Sequence, residues 1–141
     1  MNVDQIAKLK KISQQLRKSV IRELSEAGSG HSAGCLGFAD VMAVLYFHAM
    51  RLDPENPNWE YRDIFVMSNG HYAPLLYATL AERGFFDKKE LANLRKFDSK
   101  LQGHPERGSL AGVETTSGPL GCGLSQAAGM AYSLQYLGGN S

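Results

Sequence analysis

Three histidines each follow a glycine, and a glycine-rich stretch comes after the third of these pairs. The pairs are Gly30-His31, Gly70-His71 and Gly103-His104, and the glycine-rich stretch covers residues 116–124. Histidine changes its protonation near neutral pH, so it suits proton transfer at a reacting centre. Glycine lets a backbone approach a ligand closely, and N–H groups at the start of a following helix suit polar ligand atoms. We therefore expect one pocket that combines three histidines with this loop.

Two other interpretations of the same residues remain open. Each Gly-His pair, taken alone, is typical of an ordinary turn, so the prediction depends on their joint occurrence. A site with three histidines bound to a metal is a further alternative, although the sequence has no helical HxxxH or HExxH pattern. The two cysteines, Cys35 and Cys122, form no CxxC pair, so neither a zinc site nor a disulfide framework is expected.

Length and composition narrow the classes of function. The chain has 141 residues, which is one domain at most, with 43% hydrophobic and 21% charged residues. The formal net charge is +1 and no basic stripe stands out, so nucleic-acid binding is not expected. The sequence shows neither a signal-peptide pattern nor a membrane-spanning run, which predicts no membrane association and a cytoplasmic location.

Helical patterns precede the first two histidine pairs. Apolar residues at three- and four-residue spacing predict a helix over Asp4–Ala27, with Asp4 as N-cap and Gly28 at its end. Residues 36–50 are apolar nearly all round and predict a buried helix. A short buried strand is expected over Asp63–Ser68, because such a strand can deliver the following polar residues to a site.

The second half alternates short helices with a long loop. Pro74 predicts the start of a helix that Gly84 closes, and a short helix should follow Asp87. Residues 97–117 have no periodicity and include His104. A helix rich in small residues is expected from Gly123 to Leu137. We predict an α/β fold, mostly helical with one or two parallel strands, that forms the front part of a larger unit.

In order along the chain, four motifs resemble the N-terminal, thiamine diphosphate-binding domain of transketolase. The first two are similar to the family's first and second histidine loops: Ser29-Gly30-His31, and Ser68-Asn69-Gly70-His71 with Ala73-Pro74-Leu75. Leu101-Gln102-Gly103-His104-Pro105 resembles the third. Gly118-Pro119-Leu120-Gly121 resembles the loop that contacts thiamine. Deoxyxylulose-phosphate synthases fit less well around His71 and Gly118.

The chain departs from the family pattern at several places. Ser32 and Ala33 stand where the family has Pro and Gly, and Cys122 stands where it has Gln. The family's Gly-Asp-Gly motif, whose Asp ligates Mg²⁺ together with a later Asn, lies beyond the last residue. So does the glutamate that activates the pyrimidine ring. The resemblance therefore implies a partial diphosphate-binding domain over residues 1–141, without metal ligands of its own.

The resemblance implies transfer of a two-carbon ketol unit from a ketose phosphate to an aldose phosphate, as in the pentose phosphate pathway. The cofactors would be thiamine diphosphate and Mg²⁺. His31, His71 and His104 would be catalytic: His31 and His104 would contact substrate, and His71 would lie beside the cofactor. Cofactor contacts would also come from Gly118, Pro119 and Leu120.

The expected partners are sugar phosphates and either a second copy, as a homo-oligomer, or another transketolase section that completes the enzyme. The isolated chain is then expected to be inactive. The alternative is a non-catalytic truncated domain that acts only by association with a partner chain. The nearly all-apolar helix from Leu36 and the small-residue helix from Gly123 would otherwise expose apolar surface, so association is expected under either hypothesis.

Overall fold

The fold, in a computed structural model that describes residues 1–136, consists of four α-helices joined by irregular segments and short helical turns. The α-helices are α1 (Val3–Ala27), α2 (Ala33–Val44), α3 (Ala73–Arg83) and α4 (Cys122–Tyr136). The turns are a π-helical one at Leu45–Ala49 and 3₁₀ ones at Gly70–Tyr72 and Lys88–Asn93.

Helix α1 begins slightly before the predicted residue. Asn2, not Asp4, is the N-cap: its side-chain oxygen accepts from the backbone N–H of Gln5, and the Gln5 side-chain oxygen accepts from the backbone N–H of Asn2. This reciprocal pair satisfies two N–H groups that a helix start leaves free. The predicted end is confirmed, because Gly28 has a left-handed backbone with φ 65° that stops the helix.

Helix α3 is the centre of the core. All nine residues from Ala73 to Ala81 are buried, and Tyr77 is fully buried. Helices α1 and α2 both pack against it, as the hydrophobic core cluster shows. The predicted bounds are confirmed by Pro74 in the first turn and by Gly84, which ends the helix with φ 102°.

Helix α2 is shorter than the predicted apolar helix over residues 36–50. It ends at Val44, and the π-helical turn carries the chain to Met50, whose backbone is extended. The exposed edge of α2 is tied to α1 by an ion pair in which Arg17 Nη2 lies 2.8 Å from Asp40 Oδ2. Hydrogen bonds from Arg17 and Ser13 hold the pKa of the Asp40 carboxyl well below its usual range.

The predicted strand over Asp63–Ser68 is not observed, nor is any other strand within residues 1–136. Strands need a neighbouring segment to satisfy their backbone groups, and this segment forms no ladder of backbone hydrogen bonds with another within residues 1–136. Asp63 instead pairs with Arg51, since the Asp63 N–H donates to the Arg51 carbonyl at 3.0 Å. Met67 is buried, so the apolar character of the segment is used in packing.

Helix α4 extends away from the core. Gly123 is its only buried residue, and it carries no charged side chain. Exposed apolar side chains include Leu124 (77% exposed) and Tyr132 (62% exposed). The predicted last residue of this helix, Leu137, lies outside the described residues. None of the helices described here is both long and apolar enough to cross a membrane.

Candidate active site

The first two histidine loops meet directly. The ring centroids of His31 and His71 lie 5.1 Å apart, with the rings edge to face. His31 follows the end of α1, and His71 lies in the 3₁₀ turn that leads into α3. The two residues are 40 positions apart in sequence, so their contact comes from the packing of α1 and α2 on α3.

Tyr72 holds these two loops together. An ideal Cβ added to Gly34 would lie 2.1 Å from the Tyr72 ring. The first turn of α2 can therefore lie this close to the ring only because residue 34 has no side chain. The Tyr72 ring also lies 4.6 Å from that of His71 and 6.2 Å from that of Phe38. Tyr72 therefore fixes the start of α2, and with it the His31 loop, beside His71.

The third histidine loop is anchored to the core through α3. The Tyr77 hydroxyl donates to the carbonyl of Gln102 at 3.0 Å and also lies 3.4 Å from the carbonyl oxygen of His104. Pro105 is buried, and its carbonyl accepts from the Ser117 N–H at 3.1 Å. This loop without regular secondary structure is thus held at both ends, while the His104 side chain remains exposed.

The glycine-rich loop touches both the second and the third histidine loops. An ideal Cβ on Gly70 would lie 2.4 Å from the Ser117 carbonyl oxygen and 2.9 Å from the Gly118 nitrogen. An ideal Cβ on Gly118 would lie 4.0 Å from His104 Cδ2. The His31 and His71 rings therefore meet, and the Gly118 loop lies near both Gly70 and His104, while the convergence of all three histidines on one pocket stays a prediction.

The start of α4 is fixed against the second loop as well. The Gly123 N–H donates to Ser68 Oγ at 3.2 Å, and an ideal Cβ on Gly123 would lie 2.6 Å from Ser68 Cα. This contact leaves Pro119 and Leu120 exposed between the two loops, with Leu120 71% exposed. The site therefore presents backbone groups, one exposed apolar side chain and imidazoles, a set suited to a flat, partly polar ring.

Ser117 is a residue of this site that the sequence did not single out. Its side chain is 8% exposed and its Oγ has no hydrogen-bond partner among the described residues. A buried hydroxyl without a partner is uncommon in folded proteins. No local sequence signal distinguishes Ser117 from its polar neighbours Thr115 and Thr116, so only the fold identifies it.

Glu114, which lies between the third histidine loop and the glycine-rich stretch, binds an arginine. Its carboxylate accepts from Arg62 Nε at 3.0 Å and from Arg62 Nη2 at 2.9 Å, with both side chains largely buried. Arg62 Nη1 also donates to the Trp59 carbonyl. This bidentate pair ties the segment around Trp59 to the residues that precede the Gly118 loop, with each Glu114 oxygen accepting one hydrogen bond.

Metal ligands are not assembled in the described part of the chain. Within residues 1–136, no group of three or more His, Cys, Asp or Glu side chains is placed to hold an ion. Cys122 is exposed at the start of α4, and Cys35 is buried, where burial raises its thiol pKa to about 11. The site can therefore offer imidazoles, backbone groups and an apolar contact, but these residues do not form a cation site.

The comparisons with known proteins agree with this geometry. The family model described as transketolase, thiamine diphosphate binding domain, matches residues 8–140. Transketolase from Leishmania mexicana superposes with a TM-score of 0.88 at 37% identity, over 92% of this chain and 19% of that one. The fold and the site thus define a thiamine diphosphate-binding domain.

The curated relatives identify the family further. Mouse transketolase is 49% identical over 131 residues, which are 91% of this chain and 20% of that protein. A 6-deoxy-6-sulfo-D-fructose transketolase subunit from a Clostridium species is 41% identical over 120 residues, or 85% of this chain and 44% of that subunit. The chain belongs to the transketolase family, and it spans about a fifth of the length of the mouse relative.

Proposed function

We propose that the chain is one section of an enzyme that transfers a two-carbon ketol unit from a ketose phosphate to an aldose phosphate. The observation that carries the proposal is the meeting of His31 and His71, at 5.1 Å between ring centroids, beside a glycine-rich loop that packs on Gly70. Membership of the transketolase family supports the reaction type. The enzyme would act in the pentose phosphate pathway and in the cytoplasm.

The cofactor of this proposal is thiamine diphosphate. When bound, it supplies the carbanion chemistry on which ketol transfer depends. Gly118 and Pro119 would hold its aminopyrimidine ring through backbone groups, Leu120 would pack against it, and His71 would contact it from the second loop. The exposed Leu120 and the close packing of Gly70 on this loop fit a ring. Mg²⁺ on the diphosphate would take its ligands from other parts of the enzyme.

His31 and His104 are the proposed substrate contacts. Both side chains are exposed, on loops that the core holds in place through Tyr72 and Tyr77. Ketol transfer requires protons to leave and return to sugar hydroxyl groups. An imidazole nitrogen on each histidine would exchange those protons and stabilise the charge that develops on the sugar oxygens.

His31→Ala tests the proposal in the enzyme completed by its remaining sections. Because His31 would contact the reacting sugar, we expect turnover to fall by roughly a hundredfold or more, while the affinity for thiamine diphosphate changes much less. A coupled assay of ketol transfer and a cofactor titration measure the two quantities. His48→Ala is the matched control, since His48 is an exposed histidine outside the site. Unchanged turnover in His31→Ala would contradict the proposal.

Association through α4 is the second part of the proposal. The helix has no charged residue, and Leu124 and Tyr132 are mostly exposed, since Gly123 is the one residue of α4 that is buried within the described part of the chain. Such a surface is stabilised by burial against another apolar surface. The partner would be a second copy of the chain or another transketolase section, and a neighbouring segment of that unit could also pair with residues 63–68 as a strand.

Charged substitutions in α4 are expected to weaken association. The double variant Leu124→Glu with Tyr132→Glu would place two carboxylates in the buried interface, at a cost of several kcal/mol by rough estimate. Sedimentation over micromolar concentrations should show assemblies for the wild-type chain and less assembly for the variant. Val3→Glu, on an 81% exposed residue of α1, is the control. A wild-type monomer at all concentrations, alone and with the completing section, would contradict this part.

The alternative of a non-catalytic domain that acts only by association is less well supported. Association alone requires neither the contact between His31 and His71 nor the close packing of Gly70 against Ser117. The His31→Ala experiment separates the two hypotheses, because a purely associating domain would leave the turnover of the completed enzyme unaffected by this substitution.

A further inference from the structure

Two histidine loops meet the glycine-rich loop at Ser117. The Ser117 N–H donates to the carbonyl of Pro105, in the third histidine loop, at 3.1 Å. The Ser117 carbonyl oxygen lies against the second histidine loop, where an ideal Cβ on Gly70 would come within 2.4 Å of it. The next residue, Gly118, begins the part of the loop that is proposed to hold the cofactor ring. The backbone of Ser117 is therefore fixed on two sides, directly beside the proposed ring contacts.

The hydroxyl of Ser117 is unpaired although its neighbours are paired. Ser117 is 8% exposed, and its Oγ is buried without a hydrogen-bond partner among the described residues. In the preceding residue, Thr116, Oγ1 accepts from the Arg107 N–H at 3.0 Å, and the carbonyl accepts from Gln126 Nε2 at 3.2 Å. An unpaired buried hydroxyl lowers stability, so its position at this junction indicates a partner that residues 1–136 do not supply.

Two other side chains within residues 1–136 have buried polar atoms without a partner. Glu23 belongs to α1, whereas Ser109 belongs to a turn in which its N–H donates to the Glu106 carbonyl at 3.1 Å. Ser109 precedes Ser117 by eight positions in the chain. It therefore provides a control with the same unpaired hydroxyl at a different position in the loop.

We propose that the Ser117 hydroxyl binds the aminopyrimidine ring of thiamine diphosphate and so aligns this ring with the glycine-rich loop. The inference rests on the proposed function, because it takes Gly118, Pro119 and Leu120 as ring contacts. A hydroxyl can donate to a ring nitrogen and can accept from the amino group, so either polar edge of the ring would satisfy it. The backbone contacts to Pro105 and Gly70 hold Ser117 in place before binding, which lowers the entropic cost of the contact.

Ser117→Ala is expected to change stability and cofactor binding in opposite directions. In the 141-residue chain it removes an unpaired buried hydroxyl, so we expect the thermal midpoint to rise by about 2–4 °C. In the completed enzyme it removes a ring contact, so we expect the dissociation constant for thiamine diphosphate to increase about five- to tenfold. Calorimetric titration without sugar phosphate measures this constant, and a coupled assay then measures KM for the sugar phosphates.

Ser109→Ala is the matched control, since it also removes a buried hydroxyl without a partner among the described residues. We expect that its thermal midpoint does not fall, and that its dissociation constant for thiamine diphosphate changes by less than about a factor of two. A purely structural hydroxyl at position 117 would instead lower the midpoint on removal and would leave cofactor binding unchanged.

Three results would overturn the assignment. A lower midpoint for Ser117→Ala would mean that the hydroxyl is already bonded in the cofactor-free chain. An unchanged dissociation constant would mean that the ring does not use it, and a raised KM for a sugar phosphate would then assign it to the substrate. Equal weakening in Ser109→Ala would mean an indirect effect. Absence of ketol transfer in a wild-type enzyme whose cofactor binding depends on Ser117 would overturn only the proposed function.

Discussion

Glu23→Gln is expected to remove most of the pH dependence of unfolding between about pH 5 and pH 9. Glu23 lies on the buried face of α1, is 1% exposed, and neither carboxyl oxygen has a hydrogen-bond partner among the described residues. Burial raises its pKa from 4.5 to about 9. The folded protein therefore holds this carboxyl in its neutral form at neutral pH, while the unfolded chain ionises it.

The sign of the effect follows from this shift. Because the folded pKa of Glu23 lies above the unfolded value, its contribution to stability is complete below about pH 4.5 and is lost as the pH rises to about 9. Each pH unit in that window costs up to about 1.4 kcal/mol, so the total is on the order of several kcal/mol. Glu23→Met, which keeps the volume and removes the acid, should raise stability at pH 8.

Urea unfolding midpoints measured across this pH range test whether Glu23 causes the pH dependence of stability. Glu26→Gln is the matched control, because Glu26 is an exposed carboxylate on the same helix. All histidines are retained in both variants, so the difference between their pH profiles isolates Glu23. If Glu23→Gln and Glu26→Gln showed the same pH profile as the wild-type chain, the buried carboxyl would not control its stability.

Local sequence signals predicted the helices well. Gly28, Pro74 and Gly84 act through the backbone of their own neighbourhood, so the ends of α1 and α3 follow from residue type alone. The strand over Asp63–Ser68 depends on a partner segment, which a local pattern does not specify, and it is not observed. Glu23 was missed because the apolar spacing of α1 gives no sign that a carboxylate lies on its buried face.

In the candidate site too, the sequence predicted what depends on local residue type and did not predict what depends on contacts between distant segments. The Gly-His pairs and the glycine-rich stretch identified the loops, because glycine marks close approaches of backbone that the structure contains at Gly70 and Gly123. The catalytic and binding roles assigned to these loops stay predictions. The pairing of Glu114 with Arg62 spans 52 positions in sequence. Such contacts follow from the tertiary fold, which spacing alone does not determine.

Gly70→Ala is expected to disrupt the junction between the second histidine loop and the glycine-rich loop. The added Cβ would lie 2.4 Å from the Ser117 carbonyl oxygen and 2.6 Å from its carbonyl carbon, and backbone atoms cannot rotate away as a flexible side chain can. Relief requires the two loops to move apart, at a cost of about 1–3 kcal/mol. Gly70 does not have a positive φ, so the effect comes from the lack of space.

Gly37→Ala is the matched control. Gly37 lies in α2, also without a positive φ, and an ideal Cβ there meets nothing within 4 Å. Alanine favours a helix over glycine, so this variant should be more stable than the wild-type chain by about 0.5–1 kcal/mol. Thermal unfolding compares the two variants directly, and they should shift the midpoint in opposite directions.

The effect of Gly70→Ala on function should exceed its effect on stability. Moving the loops apart would separate His71 from Gly118 and Leu120, the groups proposed to contact the thiamine rings from two sides. Since misplacement of about 1 Å at a site can cost roughly a hundredfold in rate, we expect turnover of the completed enzyme to fall by at least that order. Its titration with thiamine diphosphate should show weaker binding, whereas Gly37→Ala should bind normally. Normal cofactor binding by a folded Gly70→Ala enzyme would show that the contact between these loops does not build the cofactor site.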